Sequence, residues 1–391
     1  MLPRRRIWVL SGYAFTLLAG IALAAPITNP WQQEQPLPIE LGTSGGNVEN
    51  ISRAFCCSGT LGALVRDSAG NEYILSNNHV LADSARTANS GSAPFNDDVS
   101  QPGLVDVACN PNSSNSNIVA HVSNWVPLGT HNVDAAVAEI VPGDVSGSIL
   151  GIGPVSSTVA APSVGEAVAK SGRTTQLTCS SISTVDATVK VRYQAGCGKG
   201  RKFFVLYTGQ MIVSGSSFSA GGDSGSLIVD QSTVQPVGLL YAGSSTVTIA
   251  NPASDVLSAL SAVNPSTTTF SFVGSGSPTP VSCPAAATSL AQSRVSQASL
   301  QHAIGAKRVH EKELLADDAI VGVGVGASSD NPFEAVVFIY VEQGRALGHI
   351  PDRLDGVRTE IVRTEAFQAY GWNEHSPQSC GSNQKLARGA F

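Results

Sequence analysis

Charge is scarce in this 391-residue chain: Asp, Glu, Lys and Arg make up 13% of it, about half the share of an ordinary soluble domain. Low charge beside abundant Gly, Ser, Thr and Val suits an extracellular all-β protein better than a helical cytosolic one. The net charge is −6, which argues against nucleic acid as the main partner, and no basic run contradicts that. No two cysteines have the CxxC spacing of a zinc site, and His310-Glu311 continues as Lys312-Glu313-Leu314, so HExxH is missing too.

The first residues read as an export signal (residues 1–24). Arg4, Arg5 and Arg6 form a positive start, 7–21 an apolar core, and Ala22-Leu23-Ala24 a small-residue cleavage site. The expected location is secreted or periplasmic. A membrane enters only if the segment stays uncleaved, since 7–25 is nearly long enough to span a bilayer. Seven cysteines behind such a signal imply disulfides with one thiol left over. Cys179 and Cys197 flank a strand-like stretch and can close a hairpin; Cys56 or Cys57 can reach Cys109; Cys283 and Cys380 are a further possible pair. One of the adjacent Cys56 and Cys57 is the expected odd thiol.

From 41 to 272 short β-rich runs alternate with Gly, Asn, Ser and Pro: 59–66, 73–75, 118–125, 134–140, 187–193, 203–207, 227–229 and 237–241. Many short strands with turn signals point to a sandwich or barrels. Residues 251–263 read as a helix with Pro252 near its first turn. Residues 273–286, rich in Ser, Gly and Pro, read as a flexible linker. Beyond it, 287–391 hold 22 of the 52 charged residues, a shift that marks a second, small α+β domain. There a helix is expected over 290–315, strands over 319–326, 334–341 and 357–366, and a helical stretch near 346–354. Its role is not legible, although substrate recruitment and inhibition are both open.

Gly222-Asp223-Ser224-Gly225 follows the run Ser219-Ala220-Gly221-Gly222. A serine hydroxyl needs a base to take its proton and donors to hold the oxyanion that its attack creates. Upstream stand His79, in Ser76-Asn77-Asn78-His79-Val80-Leu81-Ala82, and Asp134, in Asn132-Val133-Asp134-Ala135-Ala136-Val137. The apolar neighbours of Asp134 suggest burial, and a buried carboxylate needs a partner, which an imidazole supplies. Each residue also has a plain reading. Ser224 suits an ordinary glycine turn; His79 has rivals in His121 and His131; Asp134 could be a surface carboxylate, with Asp106 and Asp144 as fallbacks.

In the order His, Asp, Ser, spaced by 55 and 90 residues, these segments resemble the chymotrypsin-like (trypsin-fold) serine peptidases in their bacterial secreted branch. The resemblance implies a double β-barrel over 25–272, with His79 and Asp134 in one barrel and Ser224 in the other. It further implies hydrolysis of a protein or peptide substrate through an acyl-enzyme, without metal or cofactor, and an oxyanion hole from the N–H groups of Gly222 and Ser224. The Val-Leu-Ala after His79 resembles the start of this family's active-site helical turn, a pattern its two rivals lack. Asp223 would be buried and need a cation. No Ile-Val-Gly-Gly occurs near the start, whereas Lys170-Ser171-Gly172-Arg173 resembles a bacterial segment whose base neutralises that aspartate. Lys170, or failing that Arg173, is the expected partner, so activation needs no specific clip.

Counting back six from Ser224, the pocket-floor position is Phe218, where trypsin-like members carry Asp. Tyr241-Ala242-Gly243 should line the pocket and hold an extended substrate by strand addition, with Tyr241 in place of a more usual small serine. Cleavage after apolar or small residues is expected. The alternative function is a non-catalytic binding or scaffolding protein on the same fold. Another alternative keeps the chemistry but acts on an ester or on the chain's own linker. Gly42-Thr43-Ser44-Gly45-Gly46 fits GxSxG, but 47–50 make a poor helix start for an elbow. The 322–327 segment fits a loose dinucleotide pattern, but a turn follows where a helix should hold pyrophosphate. Nothing in the sequence sets the oligomeric state.

Overall fold

The computed structural model describes residues 29–52, 55–87, 94–197, 200–264, 268–283 and 294–369. The expected export signal and Cys380 lie outside the described residues. Two curled sheets dominate. The first has eight strands in the order Phe270–Phe272, Ala63–Asp67, Glu72–Ser76, Ala136–Ile140, Asn117–Trp125, Asp98–Gln101, Thr43–Asn47 and Gly59–Leu61. In the second, Ala167–Gly172 pairs with both Leu227–Asp230 and Gln176–Gln194, closing a ring that also holds Pro236–Gly243, Val247–Pro252 and Lys202–Ser214. Every residue of Pro236–Gly243 and of Val247–Pro252 is buried: side chains alternate between the two faces of a barrel strand, so both faces of these strands are covered. The curled first sheet and the closed second one match the double β-barrel of a chymotrypsin-like fold.

The C-terminal part is a small α+β module. Its helix Gln297–Leu314 is capped by Ser296, whose hydroxyl accepts from the Ser299 N–H. The helix packs on Ile320–Ala327 and Ala335–Glu342, an antiparallel pair extended in parallel by Val357–Thr364. No helix forms over 346–354: Gly348 and Pro351 interrupt it, and the Gly348 N–H goes to Asp317 instead. The two glycine-rich decoys are both strands, Thr43–Asn47 and Ile320–Ala327, and neither leads into a helix.

The module does not hang free of the barrels. Ile320–Ala327 pairs with Gln176–Gln194 along Thr184 to Val189, so one sheet runs through both parts. Lys307, 2% exposed, bridges the contact: its ammonium lies 3.2 Å from Asp186 and 2.9 Å from Glu311, and donates to Thr188. The linker is fastened as well, for Cys283 bonds Cys179 and the Ser275 N–H donates to the Val155 carbonyl.

Among the described residues three disulfides form, Cys56–Cys109, Cys57–Cys197 and Cys179–Cys283. The first matches a sequence expectation and the other two correct it. Cys179 and Cys197 lie at opposite ends of Gln176–Gln194, an extended run of roughly 60 Å when straight, so they cannot meet. Cys283 is spoken for, and neither Cys56 nor Cys57 is the odd thiol. Among the described residues no helix is long and apolar enough to cross a membrane.

Candidate active site

His79 and Asp134 meet because their strands are neighbours. Glu72–Ser76 pairs antiparallel with Ala136–Ile140, Ser76 facing Ala136. Position 79, just past one strand, and 134, just before the other, therefore emerge at the same end. His79 sits in the single turn Asn78–Leu81, whose loop is pinned by three asparagine bonds: Asn77 Nδ2 donates to the Asp134 carbonyl at 2.8 Å, and Asn78 Nδ2 to those of Ala85 and Val126.

Asp134 is 0% exposed. A carboxylate so placed needs several donors, and it has them. His79 Nδ1 lies 2.6 Å from Oδ2, the His79 N–H donates to Oδ1 at 3.3 Å, and the Tyr193 hydroxyl donates to Oδ2 at 2.8 Å. An ionised carboxylate only accepts, so the Nδ1 proton faces Asp134 and Nε2 keeps its lone pair. That Nε2 is buried with no hydrogen-bond partner.

Ser224 lies on a tight loop between the barrels. Gly222 has φ +99°, and a Cβ there would come within 2.4 Å of Thr174 Oγ1. Gly225, at φ +94°, packs so closely against Ser76 and Thr60 that a Cβ would meet both at 2.2 Å. The N–H groups of Gly222 and Ser224 donate to no protein acceptor among the described residues. The Ser224 hydroxyl donates to the Tyr241 carbonyl at 3.2 Å, and no hydrogen bond joins it to His79. Ser224 is 0% exposed.

Asp223 organises this loop from behind. Its carboxylate accepts from the N–H groups of Ala220, Thr174 and Thr175 and from the Thr175 hydroxyl at 2.8–3.1 Å. Lys170 Nζ lies 3.6 Å from Asp223 Oδ2, both side chains 0% exposed. Burial pulls the ammonium below its usual range, while the Asp223 charge opposes that fall. Arg173 is engaged elsewhere, in a two-pronged pair with Asp106 at 2.6 and 2.7 Å. Asp106 is thus an arginine partner, while His79 is held by Asp134. His121 pairs with Asp98 on a half-exposed strand, His131 is on an exposed turn, and Asp144 precedes Val145–Ile149.

Phe218 does not floor an open pocket. At 1% exposure it is packed into the second barrel's core with Met211, Ile228 and Leu240. Tyr241, Ala242 and Gly243 end the strand Pro236–Gly243, and that edge carries a neighbour: the short strand Gln368–Ala369 pairs with Ala242 and Gly243.

Sequence reading missed Tyr193. It is buried on the long hairpin with its ring 6.0 Å from that of His79, and its hydroxyl also meets that of Tyr207 at 2.9 Å. Tyr207 in turn lies edge-on to Tyr241. The available signal was the inward alternation Val189, Val191, Tyr193. Burial first, and then the Asp134 charge, hold the Tyr193 and Tyr207 phenols well above their usual range. Tyr241 is raised by burial, then by Tyr207 and Asp134.

No protein-family model and no curated protein matches this chain. Among solved structures it is similar to a glutamic acid-specific serine protease described as using a histidine triad in substrate binding (20% identity; 60% of this chain, 100% of the other; TM-score 0.39). It is also similar to Thermobifida fusca protease A (18%; 56% and 92%; 0.35) and to Cellulomonas bogoriensis chymotrypsin (15%; 61% and 99%; 0.37). At such values the likeness carries no argument of its own, and the fold rests on the strand pairing described above.

The tyrosines fix the sign of an alkaline response. In the unfolded chain their phenols ionise near pH 10, whereas in the fold they keep their protons. Above about pH 10 the folded state therefore binds more protons, and stability falls as pH rises. Urea midpoints should be flat up to about pH 10 and decline beyond it, with the phenolate absorbance of these three residues appearing only on unfolding. Full phenolate absorbance near pH 10 in the folded protein contradicts this.

Proposed function

We propose that this protein is an extracytoplasmic serine endopeptidase acting through an acyl-enzyme. The observation that carries the reading is the His79 imidazole, fixed by a 2.6 Å contact to buried Asp134 and presenting an unpartnered Nε2 toward a buried site. In this reading a rotation of the Ser224 side chain exchanges the Tyr241 carbonyl for His79 Nε2. Catalytic hydrogen bonds of this kind are often unmade until substrate binds. His79 then takes the hydroxyl proton as Ser224 attacks the scissile carbonyl, and later gives it to the leaving amine. The free N–H groups of Gly222 and Ser224 are the donors for the oxyanion, each worth about 2.7–4 kcal/mol of barrier. Lys170, facing Asp223, keeps that loop formed without proteolytic activation. Three disulfides fit an oxidising compartment. Cleavage after apolar or small residues stays part of this proposal, with no support from Phe218, which is packed in the barrel core.

One observation favours a second reading, a non-catalytic binding protein: Ser224 is 0% exposed and the Ala242–Gly243 edge is occupied. A fluorophosphonate probe separates the two. The enzyme reading expects slow labelling of wild type at Ser224, none in Ser224→Ala, and labelling at least about 10³-fold slower in His79→Ala. A folded chain that never labels, even with the Gln368–Ala369 strand released, supports the binding protein.

Tyr193 enters as a positioning residue. Removing its hydroxyl deletes one donor to a buried charge, an interaction worth about 1.5–3 kcal/mol. Tyr193→Phe should lower kcat about 10–100-fold on a peptide substrate, with KM little changed. An unchanged kcat beside lowered stability would make the phenol merely structural.

A further inference from the structure

The strand that should receive an extended peptide already holds one, and it belongs to the same chain. Gln368–Ala369 runs antiparallel to Pro236–Gly243, with Ala369 opposite Ala242 and Gln368 opposite Gly243. Its other side faces the long hairpin: the Arg192 N–H donates to the Phe367 carbonyl at 2.9 Å, and the Arg192 guanidinium holds the Gln368 side-chain oxygen at 2.8 Å. Phe367, 0% exposed, is the anchor, with its ring edge-on to Tyr340 in a core that also contains Tyr241 and Ala242. Gln368 and Ala369 line the same cavity as His79 and Tyr193. One residue before Ala242, the Tyr241 carbonyl takes the Ser224 hydroxyl.

The attachment has two parts of unequal strength. The module is moored on the hairpin by the pairing of Ile320–Ala327 with Gln176–Gln194 and by buried Lys307. The terminal strand, by contrast, pairs over only two residues. Backbone pairing of that length separates more readily than the four-position pairing that moors the module together with buried Lys307, so the plug can leave while the mooring stays.

We propose that the Ala242–Gly243 edge is a peptide-binding surface whose resident ligand is the segment Phe367-Gln368-Ala369, making the C-terminal module a built-in competitive inhibitor of the site. The proposal rests on the peptidase reading above. Tethering gives the segment an effective concentration of order mM, against which any substrate competes. The occupant also defines the ligand class. It is an extended peptide with a small residue opposite Ala242 and a hydrogen-bond-accepting side chain opposite Gly243, where Arg192 reads it.

The test compares the full chain with two variants: Ala369→Pro, which cannot keep the pairing, and a chain ending at Phe367, which retains the buried anchor ring. Two quantities are read, hydrogen exchange at the Ala242 and Gly243 amides and the rate of fluorophosphonate labelling at Ser224. Exchange in Ala63–Asp67 serves as the folding control. Both variants should lose protection at whichever of the two amides faces Gln368–Ala369, while the other, turned to Val247–Pro252, stays protected, and both should label at least tenfold faster than the full chain. Wild type that labels as fast as both variants overturns this proposal and leaves the peptidase reading standing. Protection lost in the variants with no labelling in any of the three proteins overturns the proposal together with that reading.

Discussion

One buried carboxylate constrains everything around it. Asp134 has no contact with water, and an ion in that position is tolerated only when its oxygens are fully engaged. Its donors come from separate parts of the chain: His79 from the turn after Glu72–Ser76, Tyr193 from the hairpin of the second barrel. Its own backbone N–H is held by Asn251, which also bonds Gln210. Separating the barrels would strand the charge. The interface that forms the cleft is thus also the interface that keeps Asp134 satisfied.

A second buried charge does the same for the Ser224 loop. Asp223 gathers the backbone of Ala220 and of the neighbouring Thr174 and Thr175 and faces Lys170. Thr60 ties that loop to the first barrel, its N–H donating to the Ser224 carbonyl and its hydroxyl to that of Gly222. Residues 219–225 are accordingly fixed before any ligand arrives, which is the preorganisation that oxyanion stabilisation needs. The remaining freedom is the Ser224 side chain itself.

What could be read in the sequence was local. The strand-to-turn pattern around His79, the apolar setting of Asp134 and the glycines around Ser224 each follow from a few adjacent residues, and they nominated the residues that the fold draws to the barrel junction. Many strands were visible through their alternation, while Thr43–Asn47 and Asp98–Gln101, short and polar, and also Val145–Ile149, Ala167–Gly172, Val247–Pro252 and Phe270–Phe272, were not among the runs read. What failed to show depends on partners far along the chain. Tyr193 looks like one more inward residue until the hairpin lays its hydroxyl against Asp134. The cystines Cys57–Cys197 and Cys179–Cys283 span 140 and 104 residues, distances over which spacing says nothing. The linker composition of 273–286 suggested independence, yet Cys179 and the shared sheet bind the module to the barrels. Nor does any local pattern announce that Gln368–Ala369 completes a strand pair more than a hundred residues upstream.

The most direct measurement is a structure of the chain after phosphonylation by an active-site probe. The account predicts phosphorus on Ser224 Oγ, its free oxygen held by the N–H groups of Gly222 and Ser224, and His79 Nε2 beside the serine oxygen with Nδ1 still on Asp134. An adduct whose oxygen points away from those two N–H groups, or a His79 ring detached from Asp134, contradicts it.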